Sequence, residues 1–183
     1  MIFIAAILAI AIPNSTCHGR RRSRRSDFLN RHDTEQNLRD LCSRTDRSDV
    51  CLNILKSELH RFDNSDDRDI IDGVIDLATE KSKVIGEQLD QWFRDSNDDN
   101  LKEKYHSCSD SYNDVERNLQ EIHRNLDSDD YRIISSQIDD AEERLNECKR
   151  EFGSDSFDPG HVGDRNNELK LYLDMVRAAS DRL

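Results

Sequence analysis

Residues Leu101 to Phe152 read LKEKYHSCSDSYNDVERNLQEIHRNLDSDDYRIISSQIDDAEERLNECKREF, and the spacing of their apolar side chains decides the fold. Leu101, Tyr105, Cys108, Tyr112, Val115, Leu119, Ile122 and Leu126 recur in alternating steps of four and three. Tyr131, Ile134, Ile138, Ala141, Leu145, Cys148 and Phe152 do the same after the break at Asp127-Ser128-Asp129. Such steps keep one helix face apolar, and the residues between them are mostly Asp, Glu, Lys, Arg, Ser and Asn. A short polar turn between two long helices forces them to lie antiparallel. Folding back about Ser128 sets opposite each other residues whose numbers sum to about 256. Ile122 then meets Ile134, Val115 meets Ala141, Tyr112 meets Leu145, and Cys108 meets Cys148. The two cysteines fall at the same height on facing seams, so a disulfide between them requires no distortion.

The pattern extends both ways. From Asp67 onward, Ile71, Val74, Ala78, Ile85, Leu89 and Trp92 form a heptad stripe interrupted only around Lys81 and Ser82. Asp95-Ser96-Asn97-Asp98 ends it, and a register summing to about 193 pairs Trp92 with Leu101, Ile85 with Cys108, Ala78 with Val115 and Ile71 with Ile122. A fourth stripe holds Leu169, Tyr172, Val176, Ala179 and Leu183. Gly153 to Gly163, with Pro159 and Gly160, is the longest interruption, a candidate for contacts as well as a connector. The chain is 36% charged and 34% hydrophobic, a balance that permits disorder, but the regular spacing of the apolar residues argues against it. The expected fold is all-α, an antiparallel four-helix bundle over residues 64–183.

Residues 1–19 read as a secretory signal. Ile2 to Ile12 is an apolar run too short to span a bilayer; Pro13 breaks it, and small or polar residues lead to a cleavage point after Gly19. Cys17 leaves with it, so the mature chain keeps Cys42, Cys51, Cys108 and Cys148. An even number in an exported chain suggests two bridges. With Cys108 and Cys148 paired by register, Cys42 and Cys51 pair by elimination. Leu38 and Leu41 precede that small loop, and Ile54, Leu55, Leu59 and Phe62 follow it, which predicts a helical hairpin over 27–63. The chain-entropy model gives about 2.5 kcal/mol for closing the short loop and about 4 kcal/mol for the long one.

Residues 20–26 form a basic arm, RRRSRRS. Its five arginines are five of the chain's 27 basic residues, which leaves 22 basic against 39 acidic residues from Ser26 onward, a net −17. A body this acidic repels phosphates, so nucleic acid is not an expected partner. The arm itself reads as a solvated tail, a polyanion contact or a dibasic processing site.

These features are similar to those of the plant invertase and pectin methylesterase inhibitor family. Cys42 and Cys51 enclose eight residues, and Cys108 and Cys148 enclose thirty-nine. Cys108-Ser-Asp-Ser-Tyr112 resembles the family's Cys, three residues, Tyr segment. The run from Tyr131 through Ala141 to Cys148-Lys-Arg-Glu-Phe152 resembles its Tyr, Ala and Cys-x-x-x-Phe run. The resemblance covers roughly Asp33 to the C-terminus. It implies a secreted, monomeric inhibitor of the apoplast and cell wall that carries no catalytic residues and needs no cofactor. Its partner would be a pectin methylesterase, held one-to-one across the active-site cleft, or alternatively an acid invertase. The Pro-Lys-Phe segment frequent in the invertase branch is missing from Phe152 to Gly160, which tilts the expectation toward the methylesterase, and the Ser-Pro segment common to both branches is missing too. Family analogy puts the interface on exposed polar faces of the bundle, where Thr79 and Lys83 on the first long helix, and Arg124 and Gln137 beside the second turn, are the candidate contacts.

Catalytic readings are poorly supported. The six histidines are scattered, with no HExxH pair. Asp63 to Asp69 suggests calcium, but Arg68 stands where an EF-hand loop needs Gly, and a helix N-terminus explains the acidic run better. No metal is expected, and no membrane contact after signal cleavage. A secreted helical binding or storage protein without inhibitory action is the remaining alternative. N-terminal sequencing of the secreted product is expected to find a start between about Cys17 and Ser26, and an intact Met1 on that product would contradict the signal assignment.

Overall fold

The computed structural model describes residues 33–62, 66–153 and 157–183. The signal at 1–19, the arm at 20–26 and the start of the hairpin lie outside the described residues. Six α-helices are present among those described: α1 over residues 33–42, α2 Ser48–Ser57, α3 Asp67–Asp95, α4 Asp99–Asp127, α5 Ile134–Phe152 and α6 Val162–Ser180. Single turns of 3-10 helix, Leu59–Arg61 and Tyr131–Ile133, precede α3 and α5. The last four α-helices form the antiparallel bundle, in which α3 packs on α4 and α6, and α5 packs on α4 and α6.

Local chemistry sets the ends of the helices. Asp66 caps α3, its carboxylate accepting from the Asp69 N–H at 2.8 Å. Asp98 caps α4 by accepting from the N–H groups of Asn100 and Leu101. Further acids in both first turns complement the helix dipole, which accounts for the acidic run before α3. The α4–α5 turn needs a left-handed residue, supplied by Asp129 at φ 57°. Its carboxylate accepts from Arg68 at 2.6 Å and from the Tyr131 hydroxyl at 2.7 Å, which ties the turn to the start of α3. These two donors, Tyr131 first, hold the Asp129 carboxyl below its ordinary range.

Both disulfides are present. Cys108 and Cys148 lie 4.6 Å apart at Cα and are fully buried in the α4–α5 seam. Cys42 and Cys51, 5.6 Å apart at Cα, close the α1–α2 loop. The α4–α5 register follows the expected one, since Arg144 reaches Asp114 and Ser107 reaches Glu151 on either side of the bridge. The α3–α4 register is offset from expectation at the turn. Trp92 packs against Tyr105 in a tilted pair, with ring centroids at 5.5 Å, one helical turn beyond Leu101. Leu101 is only partly buried, and the larger Tyr105 ring offers Trp92 the better surface.

Three further readings need correction. The stripe of α3 does not break at Ser82, which is 1% exposed and donates its hydroxyl to the Tyr112 carbonyl at 3.3 Å. A buried serine with a satisfied hydroxyl serves as a seam residue that hydropathy spacing passes over. Leu183 is not a seam residue either: α6 ends at Ser180 and Leu183 is 43% exposed. Arg182 makes the terminal contacts instead, bonding Asp67 at 2.6 Å and the Asn37 carbonyl at 3.3 Å. Finally, α6 buries far more than one seam. Leu171, Leu173, Met175 and Ala178 are buried along with Leu169, Tyr172, Val176 and Ala179. The reason is the hairpin, whose α2 packs against α6 and gives that helix a second covered face.

The hairpin is fastened to the bundle at its outgoing end. Phe62 is 1% exposed and lies over Gly73, where an added Cβ would come within 2.7 Å of its ring. Arg61 forks onto Glu80 at 3.0 and 2.8 Å. Within the core, Tyr112 donates to the Asn166 side-chain oxygen at 2.6 Å, linking α4 to α6. Burial pushes the Tyr112 hydroxyl well above the ordinary phenol range, so it remains a donor at every relevant pH. Tyr112→Phe is expected to lower stability by about 1–2 kcal/mol, because the buried Asn166 oxygen loses its donor. Denaturant unfolding of the two proteins checks this, and equal midpoints would mean the bond contributes nothing.

Candidate functional site

The four candidate contacts fall into two pairs. Thr79 and Lys83 lie one turn apart on α3, whereas Arg124 on α4 and Gln137 on α5 meet near the α4–α5 turn. Lys83 is exposed and makes no ion pair among the described residues. Thr79 is half-buried, not exposed as expected, and its hydroxyl donates to the Ile75 carbonyl at 2.9 Å. Its position explains this, since it follows Ile75 by one turn and precedes Ser82 on the row of α3 that runs beside α4. Thr79 can therefore offer a partner its methyl group and hydroxyl lone pairs, but not a free proton.

Arg124 is exposed, with its guanidinium 3.6 Å from Glu121. Gln137 is half-buried; it accepts from Asn125 at 2.9 Å and donates to Glu121 at 3.5 Å. Glu121 therefore holds Arg124 and Gln137 together, and it could be found only once the two helices were in register. Because His123 touches Asp72, Arg124 sits near the height of Asp72, roughly 10 Å along the axis from Thr79. The structure keeps each pair close and leaves about two helical turns between them.

Charged side chains other than these four fill the α4–α5 groove. Asp114 pairs with Arg117 on its own helix and with Arg144 across the groove at 3.8 Å. Arg144 also reaches Glu147 at 2.7 Å, and Arg150 reaches Glu143 at 3.0 Å. Two open hollows of about 370 and 320 Å³ share Asp114 in their lining, and every residue that lines them is polar or charged. Small-molecule sites are enclosed and lined mainly by hydrophobic side chains, whereas these hollows are open and have no aliphatic side chain in their lining. No three His, Cys, Asp or Glu side chains among the described residues are placed to hold a metal ion. The tyrosines raised by burial, Tyr105, Tyr112 and Tyr172, donate into or line the core and do not converge on a cleft. What the arrangement offers is a rigid, polar, helical surface fit for another macromolecule.

The opposite end of the bundle is aromatic. Trp92 packs at a tilt on Tyr105, and Tyr105 does the same on Phe152 with centroids at 5.7 Å. Arg165 lies over the Trp92 ring at 5.0 Å and donates to the Gly160 carbonyl at 3.1 Å. Gly160 is required there, since a Cβ would come within 2.7 Å of the Trp92 ring. The Asp158 carboxylate accepts from the N–H groups of Val162 and Gly163 and so starts α6. The second half of the Gly153–Gly163 connection is thus pinned to the bundle, with Phe157 standing 74% exposed beside it.

Comparison with known proteins agrees with this architecture. A pectinesterase inhibitor of Actinidia deliciosa is 23% identical over 146 residues, spanning 80% of this chain and 78% of that protein. The crystal structure of a mutant form of a pectin methylesterase inhibitor from Arabidopsis superposes with a TM-score of 0.69 at 19% identity, covering 78% of this chain and 93% of that one. A pectin methylesterase inhibitor from Arabidopsis thaliana superposes with a TM-score of 0.61 at 18% identity, covering 81% and 96%. These two likenesses establish the fold. The model of the plant invertase/pectin methylesterase inhibitor family matches residues 36–178, and the chain belongs to that family.

Proposed function

We propose that this chain is a secreted protein inhibitor that binds a cell-wall pectin methylesterase one-to-one and occludes its active-site cleft. The observation that carries this reading is the family match across residues 36–178, joined to a relative over most of the chain that is a pectinesterase inhibitor. The apolar leader and the two disulfides support secretion, and no helix among the described residues is long and apolar enough to cross a membrane.

The physical form of the chain fits an occluding role better than a catalytic one. Its perturbed carboxyls, Asp72 and Asp129, belong to helix and turn fastenings and do not form an acid–base pair in a cleft. The outer faces of α3, α4 and α5 are largely polar, and the buried Cys108–Cys148 bridge braces α4 against α5. On this reading Thr79, Lys83, Arg124 and Gln137 lie within the contact, with the exposed cations Lys83 and Arg124 as point contacts. A net −17 from Ser26 onward draws the inhibitor toward a basic enzyme surface. Such steering weakens as added salt shortens the Debye length, which is about 8 Å near 0.15 M.

Titration of the disulfide-bonded protein against basic pectin methylesterases and acid invertases, at two salt concentrations, tests the proposal. The expected result is loss of esterase activity at one equivalent, with weaker inhibition at the higher salt. Loss of invertase activity alone would move the target to the sister enzyme. No effect on either, with a correctly folded sample, would mean that the fold persists without the inhibitory action.

A further inference from the structure

We propose that Asp129 is a positioning residue that sets how the three helices carrying the candidate contacts stand relative to one another. Its carboxylate lies in the α4–α5 turn, and a single oxygen, Oδ1, accepts from donors on both sides. Arg68, in the first turn of α3, reaches it at 2.6 Å. The Tyr131 hydroxyl, at the start of the 3-10 turn before α5, reaches it at 2.7 Å. Thr79 and Lys83 lie on α3, Arg124 on α4 and Gln137 on α5. The three helices therefore converge on one atom at this end of the bundle.

The backbone of the turn is built to present that atom. Asp129 stands in the left-handed region at φ 57°, which Asp tolerates better than most side chains. Its N–H donates to the Leu126 carbonyl at 3.2 Å, and the N–H of Asp130 donates to the Asn125 carbonyl at 2.9 Å. Asn125 in turn donates its side-chain amide to Gln137 at 2.9 Å, so the turn and the Arg124–Gln137 pair share one stretch of chain. The Tyr131 ring packs against the core, which delivers its hydroxyl from a fixed base. The neighbouring acids do not compete for the junction. Asp127 stays 3.9 Å from Arg68, and Asp130 is taken by Arg132 at 3.2 Å. Hydrogen bonds from Tyr131 first and Arg68 second hold the Asp129 carboxyl below its ordinary range, so the acceptor keeps its charge.

The place of the junction explains its use. The Cys108–Cys148 bridge lies about 30 Å back along α4 and joins α4 to α5 only. Asp129 fastens the other end of that pair and adds α3 to it. Arg68 and Asp129 are both largely exposed, and exposed ion pairs add little to global stability. The effect of the junction is local, on which arrangement the turn and its three helices hold.

The consequence for inhibition rests on the inhibitory reading proposed above, whereas the junction itself is tested in the free protein. Amide hydrogen exchange is followed at Asp130 and Ile134, whose N–H groups bond the Asn125 and Tyr131 carbonyls, and at Tyr112, one turn from the bridge. Tyr131→Phe and Arg68→Gln each remove one donor and leave the backbone of the turn alone. Asp129→Gly removes the acceptor and keeps the left-handed backbone without strain. Each of the three is expected to speed exchange at Asp130 and Ile134 about two- to fivefold, with Tyr112 and the denaturant midpoint unchanged. Neither donor variant should add to the effect in the Asp129→Gly background. Asp129→Asn, which keeps an acceptor oxygen without the charge, should fall between wild type and Asp129→Gly. Against an enzyme that the wild-type chain inhibits, Asp129→Gly should weaken inhibition by up to the same factor, as the placed arrangement is depopulated. Unchanged exchange at Asp130 and Ile134, or donor effects that persist in the Asp129→Gly background, would overturn the junction. Faster exchange with unaltered inhibition would overturn the positioning role. A wild-type chain that inhibits neither enzyme would defeat the inhibitory reading alone, and the exchange rates would still decide the junction.

Discussion

The rest of the structure depends on the pairing of Cys108 with Cys148 across the α4–α5 seam. The bridge joins two long helices at one height and fixes which residues face each other along their length. A slip of one turn would be tolerated by an apolar seam of interchangeable side chains, but not by a covalent link. With α4 and α5 locked, Tyr112 is placed to bond Asn166 of α6, and its carbonyl to receive Ser82 of α3. Three helices are thereby indexed to α4 by contacts that only one register satisfies. Removing one partner of such buried pairs costs more than the bond itself contributes, because the remaining group is left without water or a protein partner.

The seams of the long helices were legible because each has one wet face and one dry face. Wherever a helix is covered twice, that signal fails. Leu171, Leu173 and Met175 surround α6 with apolar groups, and only the folded hairpin shows why both faces of α6 are dry. Ser82 escaped for the opposite reason, since a polar residue in a seam reads as a gap until its acceptor is known. The α3–α4 offset at Trp92 depends on ring packing, which residue spacing does not encode. The α4–α5 register could be read in advance because a pair of cysteines marked it.

The contact surface was less legible than the fold. Exposed polar residues look alike in a sequence, and the structure distinguishes them only by what each already touches. Lys83 is unpaired among the described residues, Arg124 is loosely held, and Thr79 and Gln137 spend their donors within the chain. Unpaired or loosely paired cations on an acidic body make natural point contacts for a partner's carboxylates, since little existing structure has to be broken to engage them.

On the proposed reading, the α3–α5 side of the bundle, which carries Thr79, Lys83, Arg124 and Gln137, meets the target enzyme. Lysine reactivity measured in the free protein and in its complex with a pectin methylesterase tests this most directly. Lys83 on α3 is exposed, and Lys170 on α6 is half exposed beside Asp174, so both can be followed in one experiment. The account predicts that complex formation shields Lys83 and leaves Lys170 as reactive as before. Shielding of Lys170, or of Lys56 on α2, with Lys83 unchanged, would contradict it.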